Sequence, residues 1–256
     1  MNTNTLFFSS QDAITLTRFI LSGQQKHPAS AGDLSLILAA IATACKAISS
    51  AVRRAGLIGL YGVDGATNAT GDVVKRLDVL SDEIFCNSLR HTKRVALMVS
   101  EEQETAIVVP DARDAKYIVS FDPLDGSSNI DCNVSVGSIF GIARRAPAAV
   151  GSVATPEEAL QPGTSLTAAG YCVYGSSTQL VLAFQGEEVN VFTLCVDEQA
   201  LLRPFPLRSR LQRPPTHPLT RTHTHNISAA ATLLLASLSC LKPRCASPPR
   251  RSASTL

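Results

Sequence analysis

The chain reads as a layered α+β fold in which helices pack on a largely antiparallel sheet, followed by a mostly disordered tail. Two long helical periods come early, six short β-branched or aromatic runs follow in succession, and the composition changes abruptly near position 195. Helices followed by a run of strands suit a helix-on-sheet architecture. At 256 residues and 45% apolar, the sequence has material for one large domain or two modest ones, which excludes disorder throughout.

Residues 1–14 show no period and are expected to be a flexible N-terminus. The stretch 1–19 lacks a basic segment followed by a continuous apolar run and is not Arg-rich and acid-free, so no secretory or organelle leader is expected and a cytoplasmic location follows. Asp33 is expected to cap a helix whose apolar positions Leu34, Ile37, Leu38, Ile41, Cys45, Ile48 and Val52 step by three and four, ending at Arg53, Arg54 and Gly56. A Gly/Asn-rich loop occupies 61–72. A second helical period then runs through Val74, Leu77, Leu80, Ile84, Phe85 and Leu89, with Asp78 interrupting its apolar side. Strands are expected at 95–100, 116–121, 134–143, 169–174, 179–184 and 189–194, each punctuated by Gly, Pro or Asp.

The charge is +2 overall but unevenly placed. Residues 195–256 hold nine Lys and Arg against two acids, about +7, with eight of the 14 prolines; residues 1–194 are near −5. No period is sustained between those prolines, so this stretch is expected to be a low-complexity, basic, Pro-rich tail. Its arginines are not interleaved with aromatic residues, so a solvated tail is expected rather than a nucleic-acid partner. The longest apolar run, 229–241, is interrupted by Ser237 and Ser239 and falls short of the roughly 20 residues that span a bilayer, so no transmembrane helix and no membrane partner are expected. Seven cysteines without CxxC spacing indicate reduced thiols, not a disulfide framework or a zinc knuckle.

Two expected strands finish in acids. One runs into Glu101 and Glu102, the other into Asp122, Pro123, Leu124 and Asp125. A tight turn can point both aspartates to one side, and carboxylate oxygens are what hard cations prefer. Gly126, Ser127, Ser128 and Asn129 follow, with unhindered N–H groups and hydroxyls that can cradle a phosphate or simply form a turn. Taken singly, each motif reads as an ordinary turn or solvated loop. Together, four acids flanked by Val, Leu, Ile and Phe repel unless protons or cations neutralise them, and metal beside a phosphate cradle points to phosphoryl chemistry.

These residues carry a resemblance. SEE at 100–102 and FDPLDGSSNIDCNVSVGSIFGI at 121–142 resemble the metal-binding core of class 1 fructose-1,6-bisphosphatase, cytosolic type, and the likeness extends from TLTRF near Thr15 through AAGYCVYGSSTQLVL to VNVFTL at 194. The Ser128 to Asp131 continuation resembles the fructose enzyme rather than its sedoheptulose relative. The segment 145–161 lacks the extra cysteine-bearing loop of the redox-regulated chloroplast form. The expected divisions are therefore a flexible 1–14, the family's N-terminal domain at 15–194, and a tail at 195–256 in place of the family's C-terminal domain.

The resemblance implies hydrolysis of the 1-phosphate of fructose 1,6-bisphosphate, in gluconeogenesis or sucrose synthesis, with two or three Mg2+ held by Glu101, Glu102, Asp122, Asp125 and the carbonyl of Leu124. It implies that Asp78 with Glu102 forms the carboxylate pair acting on water; Asp78 paired with a Lys such as Lys75 is the structural alternative. It assigns Asp72 to a mobile loop closing on the metals, and Asp125, Gly126, Ser127, Ser128 and Asn129 to the substrate phosphate. It also implies an allosteric AMP site at Gly32, Asp33, Ser35, Lys116, Tyr117 and Arg144, with Ala31 where the family usually has Thr, and a homotetramer. The groups that hold the 6-phosphate belong to the family's second domain and are not recognisable after 194, so activity is expected to be impaired by its loss. The alternative is an inactive truncated module that binds Mg2+ or AMP, or assembles with full-length subunits.

Overall fold

The computed structural model describes residues 14–27, 30–55, 63–67, 73–195 and 200–203. In chain order the elements are β1 (Ile14–Thr15), α1 (Leu16–Gln25), α2 (Asp33–Arg54), β2 (Val63–Thr67), β3 (Val73–Lys75), α3 (Arg76–His91), β4 (Val95–Ser100), β5 (Ile107–Val108), β6 (Tyr117–Asp125), β7 (Val136–Arg144), β8 (Ala168–Tyr174), β9 (Thr178–Phe184), β10 (Asn190–Cys195) and β11 (Ala200–Arg203). Nine strands form one sheet in the order β1-β11-β10-β9-β8-β7-β6-β4-β5, and β2 pairs with β3 separately. Every pairing is antiparallel except that of β4 with β6.

Helix α2 follows the expected stripe: Ile37, Leu38, Ile41, Cys45 and Ile48 are buried. By length and composition it could cross a membrane, but here its apolar side packs into the core against α3 and β8. Its start differs from expectation. Gly32, not Asp33, is the cap, because a left-handed turn (φ 80°) brings the chain into the helix and suits glycine. Asp33 is the first helical residue, drawn instead toward Arg94 Nε (3.2 Å) and Lys116 Nζ (3.4 Å). Helix α1 had no expected counterpart; Thr15 caps it by accepting a hydrogen bond from the Arg18 N–H at 3.1 Å, and Phe19 meets Phe192 edge-on at 5.3 Å.

The six expected strands are present, with ends shifted by a few residues. β4 is buried at every position, as a strand covered on both faces should be. β8 and β9 alternate instead, with Cys172, Tyr174, Leu180 and Leu182 inward. At Gly170 a Cβ would collide with the Val181 carbonyl and lie 2.6 Å from the Phe140 ring, so only glycine fits between β7 and β9. The helical and sheet layers meet where Phe85 of α3 stacks on Phe121 of β6 at 5.0 Å, and where the hydroxyls of Ser49 and Thr178 bond at 2.6 Å.

A buried clamp holds the segment after β7. The Arg145 side chain, 0% exposed, donates to Glu158 from Nε (2.7 Å) and Nη2 (3.0 Å), and to the carbonyls of Arg113, Ala115 and Ser152. The sheet also continues beyond the expected boundary at 194. β10 reaches Cys195, and β11 pairs with both β10 and β1, burying Leu201, so the apolar run at 200–202 belongs to the fold rather than to a tail. Residues 204–256 lie outside the described residues, as does Gly56.

Candidate metal and phosphate site

The site lies where β4 and β6 end. Because this pair is parallel, with Ser100 opposite Phe121, Glu101 leaves β4 at the level of Asp122, which stays in β6 opposite Ile139 of β7 just past the last β4–β6 pair. The Glu101 N–H donates to the Phe121 carbonyl at 3.1 Å, extending the ladder by one bond. Asp122 turns back on its own chain, its Oδ1 accepting from the Leu124 N–H at 3.0 Å. Beneath the turn, Ser138 donates to the Pro123 carbonyl at 2.7 Å, and its hydroxyl lies 2.6 Å from that of Tyr174. Asp78, 2% exposed, enters from the first turn of α3.

The electrostatics show how tightly these acids are gathered. Burial, then Glu101, Asp78 and Asp122, push the Glu102 carboxyl up to about 8. Burial, then Glu101 and Asp125, push Asp122 up to about 7, although the Leu124 N–H opposes this. Asp78, Glu101, Glu102, Asp122 and Asp125 thus share one field. Among the described residues no three metal-ligating side chains converge tightly enough to hold an ion as they stand. The donor set nonetheless fits a hard divalent cation: it is all oxygen, and mutual repulsion of this size is what a 2+ charge relieves.

Asp125, Gly126 and Asn129 line one end of a cavity of about 820 Å³ that continues over β7, β8 and β9. Gly126 is left-handed (φ 79°) and begins a short 3-10 turn, Ser127–Cys132, whose Ser127 and Ser128 do not line that cavity. Asp72 and the Lys75 side chain lie outside the described residues, so neither the loop acid nor the Asp78–Lys75 alternative is placed. Part of the loop 61–72 is strand: Val63–Thr67 pairs with Val73–Lys75.

Sequence reasoning missed Asp82. It is 5% exposed and accepts from Ser100 Oγ and Gln103 Nε2, each at 2.5 Å, with Cys86 Sγ at 3.7 Å. The available signal was its spacing of four from Asp78, which puts both acids on one helix face.

A second cavity, about 510 Å³, collects Asp33, Ser35, Lys116, Tyr117 and Arg144 beside Ala31, with Gly32 as the adjoining cap. The Arg144 guanidinium lies 5.8 Å from the centre of the Tyr117 ring, and burial, partly offset by Arg144, raises the Tyr117 phenol. The expected residues thus come together. The sequence did not foresee the wall from α1 and the two residues after it, where Gln24 accepts from Ser35 Oγ at 2.9 Å and Lys26 and His27 face the cavity.

A family model described as the N-terminal domain of fructose-1-6-bisphosphatase matches residues 14–202. Cytosolic fructose-1,6-bisphosphatase of Solanum tuberosum is 51% identical over 183 residues, 72% of this chain and 53% of that protein. Fructose-1,6-bisphosphatase 1 of Mus musculus is 50% identical over 185 residues, again 72% and 53%. The crystal structure of Leishmania major fructose-1,6-bisphosphatase in holo form superposes with a TM-score of 0.69 at 40% identity, covering 76% of this chain and 59% of that one. The chain spans about half the length of the curated relatives it matches. On the matched N-terminal domain, the identity within it and the shared fold, this chain belongs to the fructose-1,6-bisphosphatase family.

Proposed function

We propose that the chain hydrolyses the 1-phosphate of fructose 1,6-bisphosphate, giving fructose 6-phosphate and phosphate, in a Mg2+-dependent reaction of cytosolic carbohydrate metabolism, in gluconeogenesis or sucrose synthesis. The observation that carries this reading is the gathering of five carboxylates at the shared end of β4 and β6, in a sequence of this family. Glu101, Glu102, Asp122, Asp125 and the carbonyl of Leu124 would hold two or three Mg2+. When bound, these ions supply charge stabilisation for the phosphoryl oxygens and the leaving alkoxide, and acidify a water.

The chain's own groups do the rest. Asp78, fixed on α3 within electrostatic reach of Glu102, accepts the proton of the attacking water together with that glutamate. A new O–P bond forms as the bond from phosphorus to the C1 oxygen breaks, the C1 oxygen takes a proton from solvent water to become the hydroxyl of fructose 6-phosphate, and the carboxylate pair returns its proton to solvent. The N–H groups of Gly126 and Ser127 orient the phosphate, with Ser128 and Asn129 assisting, and Asp72 joins from the loop. The cavity at Gly32, Asp33, Ser35, Lys116, Tyr117 and Arg144 takes AMP as an inhibitor, its cations facing the phosphate. The working assembly is a homotetramer, as in the family.

The test is phosphate release from fructose 1,6-bisphosphate by the purified 256-residue chain, with and without Mg2+. Turnover that requires Mg2+ and disappears in Glu102→Gln and Asp78→Asn is expected; turnover unaffected by both substitutions refutes the assignment. A second reading is favoured by the open sheet face, where Tyr171, Val173 and Val189 are 41%, 36% and 39% exposed along the large cavity. A reaction centre bordered by an open face is poorly shielded from water, so the chain would act as a module that binds Mg2+ or AMP or assembles with full-length subunits. Mg2+ uptake without turnover selects this reading.

A further inference from the structure

We infer that Asp82 is a positioning residue for the Glu101–Glu102 pair, bracing α3 and the end of β4 into one unit. This rests on the metal-site reading above. Asp82 lies one turn beyond Asp78 on the same face of α3 and is nearly as buried, at 5% against 2%. Its two oxygens are spent on the two residues that flank the glutamate pair: Oδ1 accepts from Ser100 Oγ and Oδ2 from Gln103 Nε2, both at 2.5 Å. The Ser100 hydroxyl in turn accepts the Glu102 N–H at 3.3 Å.

The pair is therefore held from two sides. Glu101 hangs on β6 through the Phe121 carbonyl, and Glu102 hangs on α3 through Ser100 and Asp82. The second brace reaches the helix that carries Asp78 by hydrogen bonds, whereas the first meets it through the Phe121 ring against Phe85. It fixes the separation between Asp78 and Glu102, the two groups that must act on one water, against the repulsion that drives them apart. Charge-assisted bonds to a buried carboxylate are short and strong, which suits a brace working against like charges. A group that orients ligands without touching the ion typically changes metal affinity by about 10- to 100-fold when lost.

The test uses the full chain and three variants, Asp82→Ala, Asp82→Asn and Ser100→Ala, with two readouts. One is calorimetric uptake of Mn2+ alone. The other is backbone hydrogen exchange at the Glu102 amide in metal-free protein, which reports the brace without any ion. Asp82→Ala and Ser100→Ala should weaken Mn2+ uptake about tenfold or more and speed Glu102 exchange by a similar factor. Asp82→Asn should rescue both to within about threefold of wild type, because its oxygen still accepts from Ser100 and the Gln103 amide can turn to accept from its NH2. Should Asp82→Ala fail to fold, Ser100→Ala carries the same expectation.

Unchanged Glu102 exchange in the brace-breaking variants overturns the inference. So does an Asn variant as damaged as the Ala variant, which would make Asp82 a source of charge rather than a brace. Wild-type protein that takes up no Mn2+ sinks the metal-site reading, while the exchange measurement still decides whether the brace exists.

Discussion

Replacing Asp122 with Asn should stabilise the metal-free protein and abolish its divalent-ion uptake at the same time. In the fold the Asp122 carboxyl moves from 3.8 to about 7, chiefly through burial and then through Glu101 and Asp125. One pH unit corresponds to about 1.4 kcal/mol, so keeping this group ionised costs the folded state up to about 4 kcal/mol. A carboxyl that holds its proton more tightly folded than unfolded contributes stability that is complete below its unfolded value, 3.8, and is lost as pH rises through about 7. Asparagine carries no such charge, and its side-chain oxygen can keep the hydrogen bond that Asp122 accepts from the Leu124 N–H at 3.0 Å. The gap between variant and wild type should therefore be close to zero near pH 4 and widen to about 2–4 kcal/mol by pH 8. Urea unfolding of both proteins across that range, with a chelator present, measures the gap, and a Mg2+ titration at neutral pH measures the loss of uptake. A variant that is destabilised at pH 8, or separated from wild type by the same amount at every pH, would refute the picture of a strained carboxylate nest.

Three other substitutions probe separate parts of the molecule. Arg145→Met leaves Glu158, the buried carbonyl of Ala115 and the carbonyls of Arg113 and Ser152 without their donor and should cost about 3–5 kcal/mol in chemical denaturation. Gly170→Ala forces a methyl group against the Val181 carbonyl and the Phe140 ring; a loss of about 1–3 kcal/mol or more should appear as a lowered melting temperature. Lys116→Ala removes a cation from the smaller cavity and should weaken AMP uptake about tenfold by calorimetry, leaving Mg2+ uptake by the acid cluster unchanged.

The parts of the fold visible in the sequence are those whose signal is local. α2 and α3 bury stripes spaced by three and four, and the six longer strands are β-branched runs between breakers. α1 was not visible because Leu16 is its one fully buried residue and its support, Phe19 against Phe184 and Phe192, comes from strands far along the chain. β1 and β5 are two residues each, too short for any alternation to register. β11 sits among prolines and arginines, whose composition outweighed the short apolar run at 200–202. In the site, the acids at strand ends could be read because carboxylates following apolar strands are conspicuous. Asp82 offered only its spacing from Asp78, a weak signal, since an acid on a helix ordinarily faces water and only the tertiary fold brings Ser100 and Gln103 to it. Asp33 was misread for a related reason: its cationic partners, Arg94 and Lys116, arrive from elsewhere in the chain.

The lone parallel pairing of β4 with β6 divides this region into parts with opposite tolerance for inserted or deleted residues. Adding or removing one residue within either strand would swing its terminal acids to the other side of the sheet, because successive side chains alternate. The connection from 101 to 116 escapes that constraint only between Gln103 and β5, where Glu104 and Thr105 are exposed and the loop can lengthen at the cost of little entropy; after β5 the chain is tied down again by buried Val109, Ala112 and Ala115 and by Arg145. Changes of length across related genes should therefore collect between 104 and 106 and be absent from the strands on either side.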